Sequence, residues 1–142
     1  VIGVVLIAHA PLASALAASA AHVYTCAPEV ARAGVQVYDL QPDEDPEAAL
    51  AHARRLVAAA DSGAGVLVLT DVLGATPSNV AARLAQAGRV AVVAGVNLPM
   101  LLRALCYRQV SLEQAVAKAI SGGTEGVRPV SFDAPACGGS GS

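Results

Sequence analysis

The chain has little of what nucleic-acid and cofactor sites are usually built from. Aromatic residues make up 3% of its 142 positions: three tyrosines, one phenylalanine and no tryptophan. So few rings leave almost nothing on which to stack bases. Charged residues are also sparse, at 14%, with a net charge of −2. A chain of that balance offers no basic field to a phosphate backbone, so nucleic acid is not an expected partner. The three cysteines, Cys26, Cys106 and Cys137, are an odd, widely spaced set without a CxxC pair. That pattern argues against a disulfide framework and favours a reducing, cytoplasmic compartment. Neither GxxxxGK[ST] nor GxGxxG is present, and no repeat of 20–50 residues is visible.

What is abundant is small and apolar. Hydrophobic residues are 55% of the chain, and alanine, which favours helix and close packing, supplies much of that excess. The length fits one domain with a sizeable core. We place that domain at residues 1–133 and read 134–142, which include Cys-Gly-Gly-Ser-Gly-Ser, as a flexible linker-like tail. Val1 to Ala21 carries no Asp, Glu, Lys or Arg. Yet there is no basic leader, His9 and Pro11 interrupt the run, and its character changes from β-branched residues to alanine. A buried strand followed by a helix accounts for that change, and a membrane span does not.

Apolar strands alternate with helical stretches along the chain. Strands are predicted at 2–7, 35–38, 66–70 and 90–94, with a last short one at 127–130 despite Pro129. Helices are predicted at 12–25, 47–60, 77–86 and from the Leu98 region to about 107. A final one starts at the Ser111/Gln114 capping box and ends near Ser121-Gly122-Gly123. Such alternation implies an α/β fold: a mainly parallel sheet, doubly wound, in a three-layer α/β/α sandwich. With strand order 2-1-3-4, the C-terminal ends of strands 1 and 3 are neighbours where the winding reverses, which is where such folds place their sites.

Two of those ends hold chemistry. His9 ends the first apolar run. The third is followed by Thr70-Asp71-Val72-Leu73-Gly74-Ala75-Thr76-Pro77-Ser78-Asn79, which reads as strand end, small-residue turn and helix start. Thr76 is a candidate cap, with Pro77 at the first helical position. The backbone N–H groups of Gly74, Ala75, Thr76 and Ser78 and the Thr76 hydroxyl form a candidate anion cradle. Histidine suits reversible carriage of a phosphoryl group, since neutral imidazole attacks near pH 7 and leaves again. Asp71 is expected to accept the N–H of the ring nitrogen that does not attack.

Three segments resemble one family, the mannose-type IIA component of the phosphoenolpyruvate:sugar phosphotransferase system. Ala8-His9-Ala10-Pro11-Leu12-Ala13-Ser14-Ala15-Leu16 is similar to its H-G-x-x-A-x-x-L. Leu69 to Asn79 is similar to L-T-D-L-F-G-G-S-P-x-N, and Gly95-Val96-Asn97-Leu98-Pro99-Met100-Leu101 matches G-x-N-L-P-M-L. The resemblance implies that His9 is phosphorylated, with Asp71 as its partner; Asn97 either lines the site or shapes the turn after strand 4. It implies HPr as phosphoryl donor, a IIB component as acceptor, and contact with the membrane only through a transporter. It also implies a homodimer that exchanges its C-terminal edge strand, and no cofactor or metal. Ala10, Ala75 and Thr76 depart from the family's glycines and serine.

Other readings remain beside this one. A IIA of this kind can be regulatory, binding a target protein according to its phosphorylation state. A flavodoxin-like anion- or nucleotide-binding domain without phosphotransfer is a third reading, and the missing glycine motifs weigh against it. His22 and Cys26 stand at metal-compatible i, i+4 spacing but have no further ligands. His52 reads as a solvated helix face, Arg103 and Arg108 as structural cations, Cys106 as core and Cys137 as a tail thiol.

Overall fold

The run Gly3–His9 forms the first strand, β1, and its first six residues are completely buried. A strand that apolar on both faces needs cover on both, which makes it the centre of a sheet. In the computed structural model, which describes residues 1–23 and 33–132, β1 lies between β2 (Val35–Leu40) and β3 (Val66–Thr70), with β4 (Val90–Val93) beyond β3. The order is β2-β1-β3-β4 and every pairing is parallel. Five helices connect and cover the sheet: α1 (Leu12–Val23), α2 (Pro46–Ala60), α3 (Thr76–Ala82), α4 (Leu98–Cys106) and α5 (Leu112–Glu125). None of them is long and apolar enough to cross a membrane.

Side-chain alternation divides the core in two. Val4, Leu6, Leu67 and Leu69 face α1, α4 and α5 through Ala13, Ala20, Leu101, Ala104 and Ala115. Val5, Ile7, Val66 and Val68 face α2 and α3 through Ala49, Leu50, Ala53 and Val80. The alanines let the helices lie close to the sheet, and each large aliphatic side chain so buried contributes about 1.5–3 kcal/mol. The doubly wound α/β sandwich read from the sequence is therefore present, with the expected order.

Helix starts follow local chemistry. Asp45 caps α2 by accepting the Ala48 N–H at 3.0 Å, and Pro46 opens the helix. Ser111 and Gln114 form the full reciprocal capping box of α5. Several boundaries move. The third helix stops at Ala82, and Gln86 instead pairs antiparallel with Val90. Residues 127–130 form no strand; they run on from α5 without a sheet partner among the described residues. The prediction that helix 1 reaches Thr25, the Cys26 and Cys137 readings and the tail lie outside the described residues.

Gly122 and Gly123 do not end the last helix, which continues to Glu125. Their role is contact. A Cβ on Gly122 would stand 2.5 Å from the Cβ of Arg103, and one on Gly123 would stand 2.8 Å from Cε of Met100. The glycines let α5 lie against α4 closer than any side chain allows. Gly122→Val should therefore lower stability by about 1–3 kcal/mol, the usual penalty of overpacking, measured by urea denaturation; unchanged stability would mean that the α4–α5 contact is loose.

Candidate functional site

The parallel register fixes the site. Ile7 pairs with Thr70 and His9 with Leu40, so the C-terminal ends of β1, β2 and β3 finish together at one edge of the sheet. The chain leaves β1 toward α1 on one face and leaves β3 toward α3 on the other. Between these diverging connections Asp71 reaches His9. Its Oδ2 lies 2.7 Å from His9 Nδ1 and accepts the His9 backbone N–H at 2.9 Å. Its Oδ1 accepts the Val72 N–H at 2.8 Å. The Asp71 carbonyl is itself held by the Gly95 N–H at 2.7 Å, and Thr70 O by the Val96 N–H, which ties this corner to the end of β4.

The pair is asymmetric. The Asp71 side chain is 7% exposed and that of His9 is 53% exposed. Burial alone pushes the Asp71 carboxyl up; the hydrogen bonds from the His9 backbone and ring and from Val72 outweigh it and leave the group below its ordinary value. An ionised carboxylate can only accept, so the ring proton sits on Nδ1 and the lone pair on Nε2.

The turn after Asp71 is apolar at its tip. Val72 is 60% and Leu73 83% exposed. Gly74 has φ +92°, a left-handed conformation that a side chain would strain, and nothing lies within 4 Å of the position a Cβ would take.

The expected anion cradle is only partly open. The Gly74 N–H donates to Ser78 Oγ at 2.9 Å, and the Ala75 N–H to Val72 O at 3.2 Å. Ser78 is buried, and its hydroxyl donates to Ala75 O. Gly74, Ala75 and Ser78 thus brace the turn internally. Thr76 is not the cap. Ala75 holds that position without a side-chain bond, and Thr76 and Pro77 are the first two helical residues. Thr76 stays exposed, and the N–H of a first helical residue has no partner inside its own helix.

Asn97 makes its side-chain hydrogen bonds within α4 and to α5. Its Oδ1 accepts the Met100 N–H at 2.9 Å and caps α4, while Nδ2 donates to Gly123 O at 3.1 Å. It fastens α4 to α5. Arg108 is buried and donates through Nε to Ile2 O and through Nη1 to Ala33 O, a structural clamp at the opposite end of the sheet. Cys106, expected in the core, is exposed. His52 is not simply solvated, since its ring stands edge-on to Tyr38 at 4.5 Å. Among the described residues no group of three or more His, Cys, Asp and Glu side chains is placed to hold a metal.

Sequence reasoning passed over one pair beside the site. Asp39, near the end of β2, accepts the Ser14 N–H at 3.0 Å and the Ser14 hydroxyl at 2.5 Å. The signal was there: Ala10 and Pro11 before α1 offer no side-chain acceptor, so its cap has to come from elsewhere.

Comparison with known proteins identifies the family and the fold. The model of the family described as PTS system fructose IIA component matches residues 3–121. The PTS system mannose-specific EIIAB component of Escherichia coli strain K12 is 37% identical over 106 residues, covering 69% of this chain and 33% of that protein. The chain therefore spans about a third of the length of that curated relative. Among solved structures, a phosphotransferase system component EIIA from Streptococcus agalactiae superposes with a TM-score of 0.74 at 25% identity, over 91% of this chain and 97% of that one. The mannose/sorbose specific IIA subunit from Enterococcus faecalis superposes with a TM-score of 0.78 at 23% identity, over 94% and 98%, and shares the fold. With its strand order, its His9–Asp71 corner and a family match across most of its length, the chain belongs to the mannose-type IIA family of the phosphoenolpyruvate-dependent phosphotransferase system.

Proposed function

We propose that this chain carries a phosphoryl group on Nε2 of His9, taking it from phosphorylated HPr and passing it to a IIB component for sugar uptake. The observation that supports this most directly is the 2.7 Å contact of Nδ1 with the buried Asp71, opposite a half-exposed ring edge. In the forward step the Nε2 lone pair attacks phosphorus. The donor's N–P bond breaks and its electron pair returns to the donor imidazole. The His9 ring becomes cationic and keeps its proton on Nδ1, where Asp71 balances the charge. On transfer to the acceptor the His9 N–P bond breaks and its pair returns to Nε2. Positioning and charge stabilisation supply most of the catalysis in such transfers. The exposed Thr76 hydroxyl and backbone N–H are the groups of the turn left to meet phosphoryl oxygens.

A protein rather than a small anion suits the surroundings. Val72 and Leu73 on the β3 turn and Leu12 at the start of α1 are exposed aliphatics on the two connections that flank His9. An apolar rim around one polar group is a fitting contact for a protein partner. We also place a homodimer within this proposal. β4 is a sheet edge, and Val127, Val130 and Phe132 beyond α5 are exposed, as a segment that pairs with a second copy would be. A cytoplasmic location accords with the donor and acceptor named here.

Incubation with radiolabelled phosphoenolpyruvate, enzyme I and HPr should give an acid-labile label that His9→Ala abolishes; label persisting in that variant would refute the assignment. Asp71→Asn should stay folded but slow transfer about 100-fold or more, as loss of proton positioning does. Leu73→Glu should raise the KM for HPr about tenfold with little change in kcat, the effect of removing roughly 1.4 kcal/mol of docking energy. Asp71 also sets an acid limit. Its folded-state pKa lies below the unfolded value of about 3.9, so its stabilisation is complete above that value and fades as pH falls through the lowered one. Thermal denaturation between pH 6 and pH 2 should show this loss, and Asp71→Asn should lack that part of it.

A further inference from the structure

The last turns of α2 and its cap place Arg54, Val57 and Asp61 at helical spacing, so they share one face. Opposite that face runs the segment between α3 and β4. There Gln86 and Val90 exchange backbone hydrogen bonds at 3.0 and 2.9 Å, and the Arg89 carbonyl accepts the Val66 N–H at 2.9 Å. The turn that carries Gln86 and Arg89 is thus fixed to β3. Between helix and turn lies a cavity of about 260 Å³. Val57 and the buried Leu84 and Val90 make its apolar side, and Arg54, Gln86, Arg89 and Asp61 its polar side. The charges there do not cancel. Arg89 Nη2 stands 2.7 Å from Asp61 Oδ2, and Asp61 Oδ1 accepts the Gly63 N–H at 2.8 Å. Arg83, further along, is taken by Glu47. Arg54 has neither an ionic nor a hydrogen-bonding partner among the described residues. Two guanidinium groups against one carboxylate leave the cavity one positive charge in excess.

We propose that this cavity binds the phosphate monoester of a small hydroxylated molecule, with its phosphate on Arg54 and the remaining donors of Arg89 and its carbon skeleton on Val57, Leu84 and Val90. Each arginine carries five N–H donors, and the hydrogen bond to Asp61 leaves most of those on Arg89 for a ligand. A phosphate monoester has three terminal oxygens to divide between two guanidinium groups, where a carboxylate has two. The Gln86 amide can donate to or accept from a ligand hydroxyl, and the Asp61 carboxylate can accept from one. The volume lies below the roughly 300–1,000 Å³ of drug-sized pockets, which limits the ligand to a small metabolite. Val90 pairs with Val66 at the start of β3, whereas His9 and Asp71 meet at the strand ends. Four residues of strand separate the two edges, roughly 13 Å. The cavity shares no residue with the His9 corner, so this binding is independent of the phosphocarrier reading.

The test is an NMR titration of the full ¹⁵N-labelled chain with glucose 6-phosphate, without enzyme I or HPr. The backbone signals of Gln86 and Arg89 and the Nε–H signals of Arg54 and Arg89 should shift and saturate in the millimolar range. Glucose alone should shift none of them, and inorganic phosphate should act on the same residues more weakly. Arg54→Ala should weaken binding of glucose 6-phosphate about tenfold, as loss of a charge-assisted hydrogen bond does. Arg54 is exposed, so that variant should keep its melting temperature, and Arg54→Lys, which keeps the charge, should recover part of the affinity. His9→Ala should bind as the unsubstituted chain does. Equal affinity in Arg54→Ala and the unsubstituted chain overturns the proposal. So do shifts confined to residues 72–76 that vanish in His9→Ala, which would place the anion at the phosphoryl site instead.

Discussion

Everything at the site depends on one buried carboxylate receiving three N–H groups. Asp71 binds the backbone and the ring of His9 through one oxygen and the backbone of Val72 through the other. Leaving any of those donors without an acceptor would cost about 1–3 kcal/mol, so the corner holds itself in one arrangement. That arrangement selects the His9 tautomer with its proton on Nδ1, and in the proposed transfer the tautomer decides which nitrogen reacts. The carboxylate is inaccessible while the ring is half exposed. The carboxylate beside the ring is therefore protected from water, and the ring itself is open to solvent.

The sheet supplies the constraint that brings the pair together. His9 and Asp71 are 62 residues apart, and nothing between them in sequence draws them close. They meet because β1 and β3 are neighbours in register and their connections leave on opposite faces. Two alanine-lined cores keep the helices pressed to the sheet, and the backbone of Gly95 and Val96, just after β4, clasps the Asp71 corner. The glycines of α5 do the same service further away, letting α4 and α5 pack as one unit behind Asn97.

Much of this was legible from the residues. The alternation of β-branched runs with alanine-rich stretches gave the architecture, and strand-end placement marked His9 and Asp71. Residues whose local chemistry permits two roles were not decided by pattern. Gly122 and Gly123 resemble a helix end, yet a missing Cβ serves helix contact equally well, and only the neighbouring helix decides between them. Thr76 has a capping side chain, but the turn reaches its helix one residue earlier, with Ala75 in the capping place. Asn97 was aligned with a site motif, while its amide bonds to the Met100 N–H and Gly123 O and so also joins α4 to α5. The clamp of Asp39 on Ser14 depends on β2 lying beside α1, a contact that spacing along the chain does not reveal.

The phosphocarrier account stands or falls on which atom bears phosphate. The chain should be labelled with ¹⁵N-histidine, phosphorylated through phosphoenolpyruvate, enzyme I and HPr, and observed by NMR for coupling between ¹⁵N and ³¹P. The account expects that coupling at Nε2 of His9, with Nδ1 still protonated and shifted by its bond to Asp71. Phosphate on Nδ1, on another histidine, or on no histidine at all would contradict it.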